Sequence, residues 1–236
     1  MNLLLVEESD VQADGTVRLT GRRLLHAREV LKAQEGATLR VGMLGGKTGV
    51  GTLRSITSEE LALEVTFDTP PPPRANVHLL LALPRPKALK KILPALASLG
   101  VDRVFLLNAA RVEKSYWNSD VLAPEAIDEL LRLGLEQGRD TLPPAIILKD
   151  RFRPFVEDEL PTLTQGAGKF VLDPSGASSL PQRERGASTF LAIGPEGGWV
   201  PFELELLEAH GFTRSSLGRR PLRTEVAVSY ALGALR

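Results

Sequence analysis

The chain of 236 residues has no cysteine, which excludes disulfides and any cysteine-ligated zinc or iron–sulfur site. Histidine is nearly as scarce, at three residues. His78 sits in an apolar run and reads as a satisfied core residue, while His210 lies at a helix end and suits the dipole there. Neither has ligand-like spacing to an acidic residue or to the other, so no metal is expected. No apolar run is long enough to cross a bilayer, and Met1 to Glu8 lack the basic start of a signal peptide. The expectation is a cytoplasmic protein with no membrane contact. Charge of one sign is also missing: 29 Lys+Arg face 29 Asp+Glu, so the net balance lends no support to a nucleic-acid partner. No internal repeat is present, and low complexity is confined to one run of prolines.

The chain divides at that run. Pro70 to Pro73, between Thr69 and Arg74, cannot donate to a sheet ladder and favour a stiff extended spacer. Two domains are therefore predicted, 1–69 and 75–236, with 70–74 as linker. The first has strand-like runs at 3–6, 16–19, 38–41, 47–56 and 61–67 with glycine turns, and one helix at 21–34 carrying Leu24, Leu25, Val30 and Leu31 towards a core. That pattern fits a small, mostly β, barrel-like module. Its helix sets out Arg22, Arg23, Arg28 and Lys32, close to Arg18, with only Glu29 opposing them. Arg85, Lys87, Lys90 and Lys91 form a second unopposed group, and Arg214, Arg219, Arg220 and Arg223 a third. Phosphate-contacting surfaces need such patches, and merely solvated faces carry them too.

Beyond the linker, strand and helix signals alternate as in a largely parallel sheet covered on both faces. Strands are expected at 77–83, 101–107, 170–172 and 189–193, and helices at 87–99, despite Pro94, and 123–137. Two glycine-bearing loops then follow strand-like runs: Gly194 to Trp199, and Leu217 to Glu225. Helices are expected after them at 201–210 and 224–235. Pro201 suits a first helical position, Gly211 a C-terminal cap, and Thr224 a side-chain cap with Glu225 in the first turn. The turn Asp173 to Gly176 is a third candidate at the same edge. Ligands of open α/β sheets sit at the carboxyl ends of strands, where all three fall; the alternative is ordinary βα turns.

At these loops the sequence resembles a known family. Ile193-Gly194-Pro195-Glu196-Gly197-Gly198 and Leu217-Gly218-Arg219-Arg220-Pro221-Leu222-Arg223-Thr224-Glu225-Val226-Ala227 are similar to the paired signature of the RsmE family, ribosomal RNA uridine-N3 methyltransferases of the SPOUT superfamily. Pro221 and Val226 stand where the family more often has an isoleucine-type residue and a threonine. Further matches are the lysine-rich helix from Lys87 to Gly100-Val101, with Ser98 in place of a glutamate, and Glu136-Gln137-Gly138-Arg139 with Pro143. The stretch from Leu19 through His26 to Gly36 resembles the family's PUA-like RNA-binding domain, with Ala27 and Lys32 replacing a frequent histidine and arginine.

The resemblance implies an α/β fold whose C-terminal SPOUT domain is closed by a trefoil knot, behind a PUA-like N-terminal β-barrel. It implies a homodimer that uses S-adenosyl-L-methionine to methylate N3 of a uridine in 16S RNA of the small ribosomal subunit. Related SPOUT chemistry on another nucleotide, and a non-catalytic RNA-binding assembly protein, are the alternatives. The implied cofactor-binding set is Leu172, Ile193, Gly194, Pro195, Glu196, Gly197, Gly198, Leu217, Gly218, Leu222, Arg223, Thr224 and Ala227. Within it, Leu172 is a pocket wall or simply a strand end, and Glu196 anchors a ribose hydroxyl or holds its own loop. Arg223 is implied as the catalytic group that orients the uridine or stabilises charge on it. Glu225 is either a proton acceptor or a salt-bridge partner. RNA contacts are expected at Arg22, Arg23, His26, Arg28, Lys32, Lys87 and Lys91, His26 alternatively being a capped, half-buried helix residue. Trp199 is a candidate rim.

Overall fold

The computed structural model describes residues 2–182 and 186–235. Two sheets organise it. The first takes β1 (Leu4–Val6), β2 (Thr16–Leu19), β3 (Thr38–Met43), β4 (Thr48–Ile56) and β5 (Leu61–Thr69) in the order β1-β3-β4-β5-β2. β1 runs parallel to β3 and the other pairs are antiparallel. Because β1 and β2 are left as edges, the sheet is a half-barrel and not the closed barrel expected.

The helix between β2 and β3 is also shorter than its pattern predicts. α1 (Gly21–Leu25) gives way to a π-helical turn at His26–Val30, and Lys32 stops it with a left-handed φ of 49°. The wider turn rotates the buried face. Leu24 and Ala27 are buried, whereas Leu25, Val30 and Leu31, assigned to the core from sequence, are exposed.

The second sheet is wholly parallel, in the order β10-β12-β9-β11-β6-β7-β8. Its elements are β6 (Val77–Ala82), α2 (Pro86–Ser98), β7 (Arg103–Leu107), α3 (Pro124–Gly138), β8 (Ala145–Lys149), then α4 (Phe152–Pro154) and α5 (Leu160–Leu163) around a π turn. β9 (Gly168–Leu172), β10 (Ser178–Ser179), β11 (Thr189–Ile193), α6 (Pro201–Ala209), β12 (Thr213–Ser216) and α7 (Thr224–Ala234) complete it. β6 and β11 are buried at every residue, which explains their continuous apolar runs. Pro94 is accommodated inside α2 where that helix packs on α3: a Cβ on Gly134 would lie 2.1 Å from the Pro94 carbonyl oxygen. The sequence reading missed β8, β10 and the helical segment 152–163.

The sheets share one seam. Along β1 and the residue before it, Leu3 and Leu5 join the core of the parallel sheet while Leu4 and Val6 join that of the half-barrel, the alternation a strand imposes. Arg22 grips the buried Glu136 at the end of α3 through two hydrogen bonds of 2.7 and 2.9 Å. Arg74, directly after the prolines, donates to the carbonyls of Leu142 and Val101 and lies 3.5 and 3.6 Å from Asp102 and Asp140. No helix among the described residues is long and apolar enough to cross a membrane.

His78 lies in the core as expected, its ring 4.5 Å from that of Phe190, but it is not satisfied: Nδ1 is buried without a hydrogen-bond partner. Burial, reinforced by Arg103, lowers its pKa from 6.5. The unfolded chain therefore takes up a proton that the fold resists, and stability contributed by neutral His78 is lost as pH falls below 6.5. Urea denaturation of His78→Leu should show a shallower decline of stability between pH 6.5 and about 5 than the parent. Parallel declines would assign the acid sensitivity to other groups.

Candidate functional site

A cavity of about 500 Å³ opens at the carboxyl ends of β9, β11 and β12, within the size range of small-molecule sites. Strand order fixes its place: β7 and β8 extend the sheet to one side of β6, while β11 and β9 lie on the other. Loops leaving these strands part at such a reversal.

Three loops build its walls. The first, after β11, brings Ile193, Gly194, Pro195, Glu196, Gly197, Gly198 and Trp199 to the cavity. A side chain at Gly194 would meet the Trp199 indole at 3.2 Å, and one at Gly197 would meet the Arg111 stem at 3.1 Å. At these two positions a side chain would crowd its neighbour, whereas Gly198, at φ 72°, needs glycine for its backbone angle. The loop is tied down on three sides. Glu196 accepts the backbone N–H of Arg85 at 3.0 Å, Arg111 donates to the Gly197 carbonyl at 2.5 Å, and Trp199 packs on Phe152 with ring centres 5.8 Å apart. The backbone just before Arg111 is held by Glu203 in the first turn of α6. This buried carboxylate accepts the N–H of Ala110 at 2.6 Å and that of Val200 at 3.0 Å.

The second loop contributes Ser216, Leu217, Gly218, Arg220, Pro221 and Leu222, then Thr224 and Ala227 on α7. Thr224 does not cap this helix as expected. Arg223 occupies the N-cap with extended backbone, and Thr224, the first helical residue, is buried on the cavity wall. The third loop supplies Leu172, Asp173, Pro174 and Ser175, held by Asp173, which accepts from Ser175 N–H at 2.9 Å.

Every residue expected from sequence to hold the cofactor therefore lines one cavity, except Arg223, which stands between the wall residues Leu222 and Thr224. Arg223 is exposed, and its guanidinium has no hydrogen bond or ion pair among the described residues. Arg111 and Ser216 were missed; Ser216 ends β12 and Arg111 lies in the loop after β7, both at the carboxyl edge of the sheet, which was the available signal. Glu225 pairs with Lys91 at 3.4 Å, not with Arg223. Its own backbone N–H first, then Lys91 and Arg223, hold its carboxyl below the ordinary carboxylate value, so it is a weak proton acceptor at neutral pH. Tyr116 and Trp117 bond locally, to Glu113 and Asn108.

Several of the residues expected to contact RNA are engaged by partners within the fold. Arg22 is engaged by Glu136, Arg23 by Asp10 and the Leu5 carbonyl, Arg28 by Glu29 and Lys91 by Glu225. Among the described residues Lys87 has no ion pair, and His26 Nε2 is buried without a partner. Arg18, in the same sequence group, pairs with Glu60. The run that faces only Glu29 in sequence is thus largely neutralised by distant carboxylates. Among the described residues no group of three His, Cys, Asp or Glu side chains could hold a metal ion.

Arg111→Ala removes the clamp on the first loop. Losing a hydrogen bond to a charged group at an exposed position is worth about 1 kcal/mol. Amide exchange across 194–199 should therefore accelerate about fivefold, with β6 unchanged, by hydrogen-exchange mass spectrometry. Unaltered loop exchange would mean that Glu196 and Trp199 suffice.

Comparison with known proteins accords with this geometry. A family model described as an RNA methyltransferase domain matches residues 70–236. The chain is 32% identical over 241 residues to the ribosomal RNA small subunit methyltransferase E of Treponema pallidum, covering 98% of this chain and 89% of that protein. Against the protein of the same name from Bacillus subtilis it is 25% identical, covering 97% and 92%. The crystal structure of ribosomal RNA small subunit methyltransferase E from Neisseria gonorrhoeae bound to S-adenosyl methionine matches with a TM-score of 0.76 at 21% identity, over 99% of this chain and 96% of that one. At that identity the structural likeness speaks to the fold. The sequence matches go further: the chain belongs to the RNA methyltransferase family that includes the ribosomal RNA small subunit methyltransferase E proteins.

Proposed function

We propose that this protein transfers a methyl group from S-adenosylmethionine to N3 of a uridine in small-subunit ribosomal RNA. The observation that carries the reading is the convergence of both glycine loops on one cavity of about 500 Å³ at the strand carboxyl ends, in a chain of this family. When bound there, the cofactor supplies an activated methyl on a cationic sulfur. Leu172, Ile193, Leu217 and Ala227 offer apolar walls for its adenine. The close-approach backbone at Gly194 and Gly197, with that of Gly198, Gly218, Leu222 and Thr224, offers peptide groups for its polar parts. Glu196 is bonded to Arg85, which favours the loop-holding role.

Arg223, unpaired beside the cavity, is positioned to orient the uridine and to stabilise negative charge on the base as its N3 proton leaves. The depressed carboxyl of Glu225 favours the salt-bridge role over that of base. We read residues 1–69 as a PUA-like RNA-binding unit built on the half-barrel, 70–74 as the linker, and 75–236 as the SPOUT unit. In that reading α7 closes the family's trefoil knot where it returns against α2 and β11. Such a substrate implies a cytoplasmic protein.

A second copy completes the proposal. α7 is apolar on nearly all sides: Val228, Ala231 and Leu232 face inward, yet Val226 and Tyr230 are exposed at 47% and 57%. A helix with that distribution is normally covered. Sedimentation equilibrium should give a dimer at micromolar concentration; a monomer there would remove this part of the reading.

The decisive experiment transfers labelled methyl from S-adenosylmethionine to small ribosomal subunits lacking the modification, with the product nucleoside identified by mass spectrometry. The expected product is 3-methyluridine. Arg223→Ala should lower transfer at least a hundredfold while leaving S-adenosylhomocysteine affinity within about threefold, since loss of one transition-state charge contact costs about 3 kcal/mol. Equal loss of both would make Arg223 a cofactor or folding residue. Cofactor binding with no transfer would redirect the search to other RNA substrates.

A further inference from the structure

Two smaller cavities lie where the N-terminal segment meets the end of α3, and their charge differs in kind. One contains Arg22, Arg23 and Arg132, and every one of these has a carboxylate: Glu136, Asp10 and Glu7 respectively. The other, about 250 Å³, is bordered by His26, Arg40 and Arg139 together with Leu31 and Leu39, and no carboxylate lines it among the described residues. Arg40 comes from β3 and Arg139 from the end of α3. Neither guanidinium has a hydrogen bond or ion pair among the described residues, and the buried His26 Nε2 has no partner either. Two like charges held together without a counter-ion favour an anion between them.

The backbone adds an independent sign. Arg139 adopts a left-handed conformation, φ 56° and ψ 39°, which costs a residue with a Cβ about 1 kcal/mol. Glycine or asparagine would occupy the position more cheaply, so a guanidinium sits there at a conformational cost. Leu31, 45% exposed despite being apolar, gives the cavity a greasy lip. Paired cations beside an apolar wall form the complement of a nucleotide whose base is unstacked.

We propose that this cavity binds one nucleotide of single-stranded RNA, its phosphodiester between Arg40 and Arg139 and its base against Leu31 and Leu39. The proposal rests on the reading of the protein as an RNA methyltransferase and adds a substrate anchor away from the methyl-transfer cavity. It moves RNA recognition from Arg22 and Arg23, which are held within the fold, to arginines that the sequence patches did not include.

The test compares binding of a fluorescein-labelled single-stranded RNA and of small ribosomal subunits to the full-length parent, to Arg40→Ala/Arg139→Asn and to His26→Phe. Asparagine tolerates the left-handed backbone. The double variant should bind RNA about tenfold more weakly, and the slope of log Kd against log salt should fall by about 0.7 for one lost phosphate contact. His26→Phe should weaken binding with both arginines in place, and S-adenosylhomocysteine affinity should be that of the parent in all three. If the parent binds RNA and the double variant matches it, the anchor proposal is overturned alone. The same follows if only the double variant weakens while His26→Phe does not, since that marks a diffuse charge effect. A parent that binds the cofactor but no RNA overturns both this proposal and the substrate reading.

Discussion

The functional end of the molecule depends on a steric constraint: its loops approach one another more closely than side chains permit. A Cβ on Gly176 would lie 2.6 Å from the Ser215 carbonyl carbon, and one on Gly194 or Gly197 would press more lightly, at 3.2 and 3.1 Å, on the side chains of Trp199 and Arg111. Close approach at these glycines leaves main-chain groups as part of the cavity surface, beside the apolar side chains of Leu172, Ile193 and Leu217. Peptide N–H and C=O groups at fixed positions recognise a polar ligand without ordering flexible side chains, whose entropy is a large cost of binding. Glu203, Arg111 and Glu196 then hold these loops from outside the cavity.

Arginine serves two opposed purposes here. Arg22, Arg74 and Arg132 are fixed by carboxylates or carbonyls where the half-barrel meets the parallel sheet. Only half of each such pair is deeply buried in the case of Arg22 and Glu136, so water screens part of the attraction; geometry, through two hydrogen bonds, fixes the orientation. Arg223, Arg40 and Arg139 have no ion pair among the described residues. The near-neutral balance of the whole chain conceals this division between cations that join elements and cations left available.

Much of the parallel sheet and nearly all of the cavity could be read from sequence. β2 and β11 were expected at their observed bounds, Thr16–Leu19 and Thr189–Ile193, because a two-residue period or a fully apolar run is a local property. The glycine loops were legible for the same reason. What was not legible was non-local. The bond from Arg22 to Glu136 depends on a residue at the far end of α3, and no local pattern encodes that pairing. Val30 and Leu31 fit a helical stripe until the π turn rotated them outward. β8, at one edge of the sheet, has no fully buried residue, and its five residues carry no alternation that marks a strand.

The position of β11 has a consequence for how the protein is made. This central strand lies between β6 and β9, with Thr189 paired to both Val77 and Gly168. On the ribosome β6 emerges long before β11 does, and although β7 follows it closely, the edge that β11 will cover waits unpaired. Such long-range parallel pairing is intrinsically slow, and unpaired strand edges invite aggregation while they persist. The strand that carries the first glycine loop is therefore also the one that closes the sheet, so a chain that stops short of it lacks both the ligand cavity and the centre of its core.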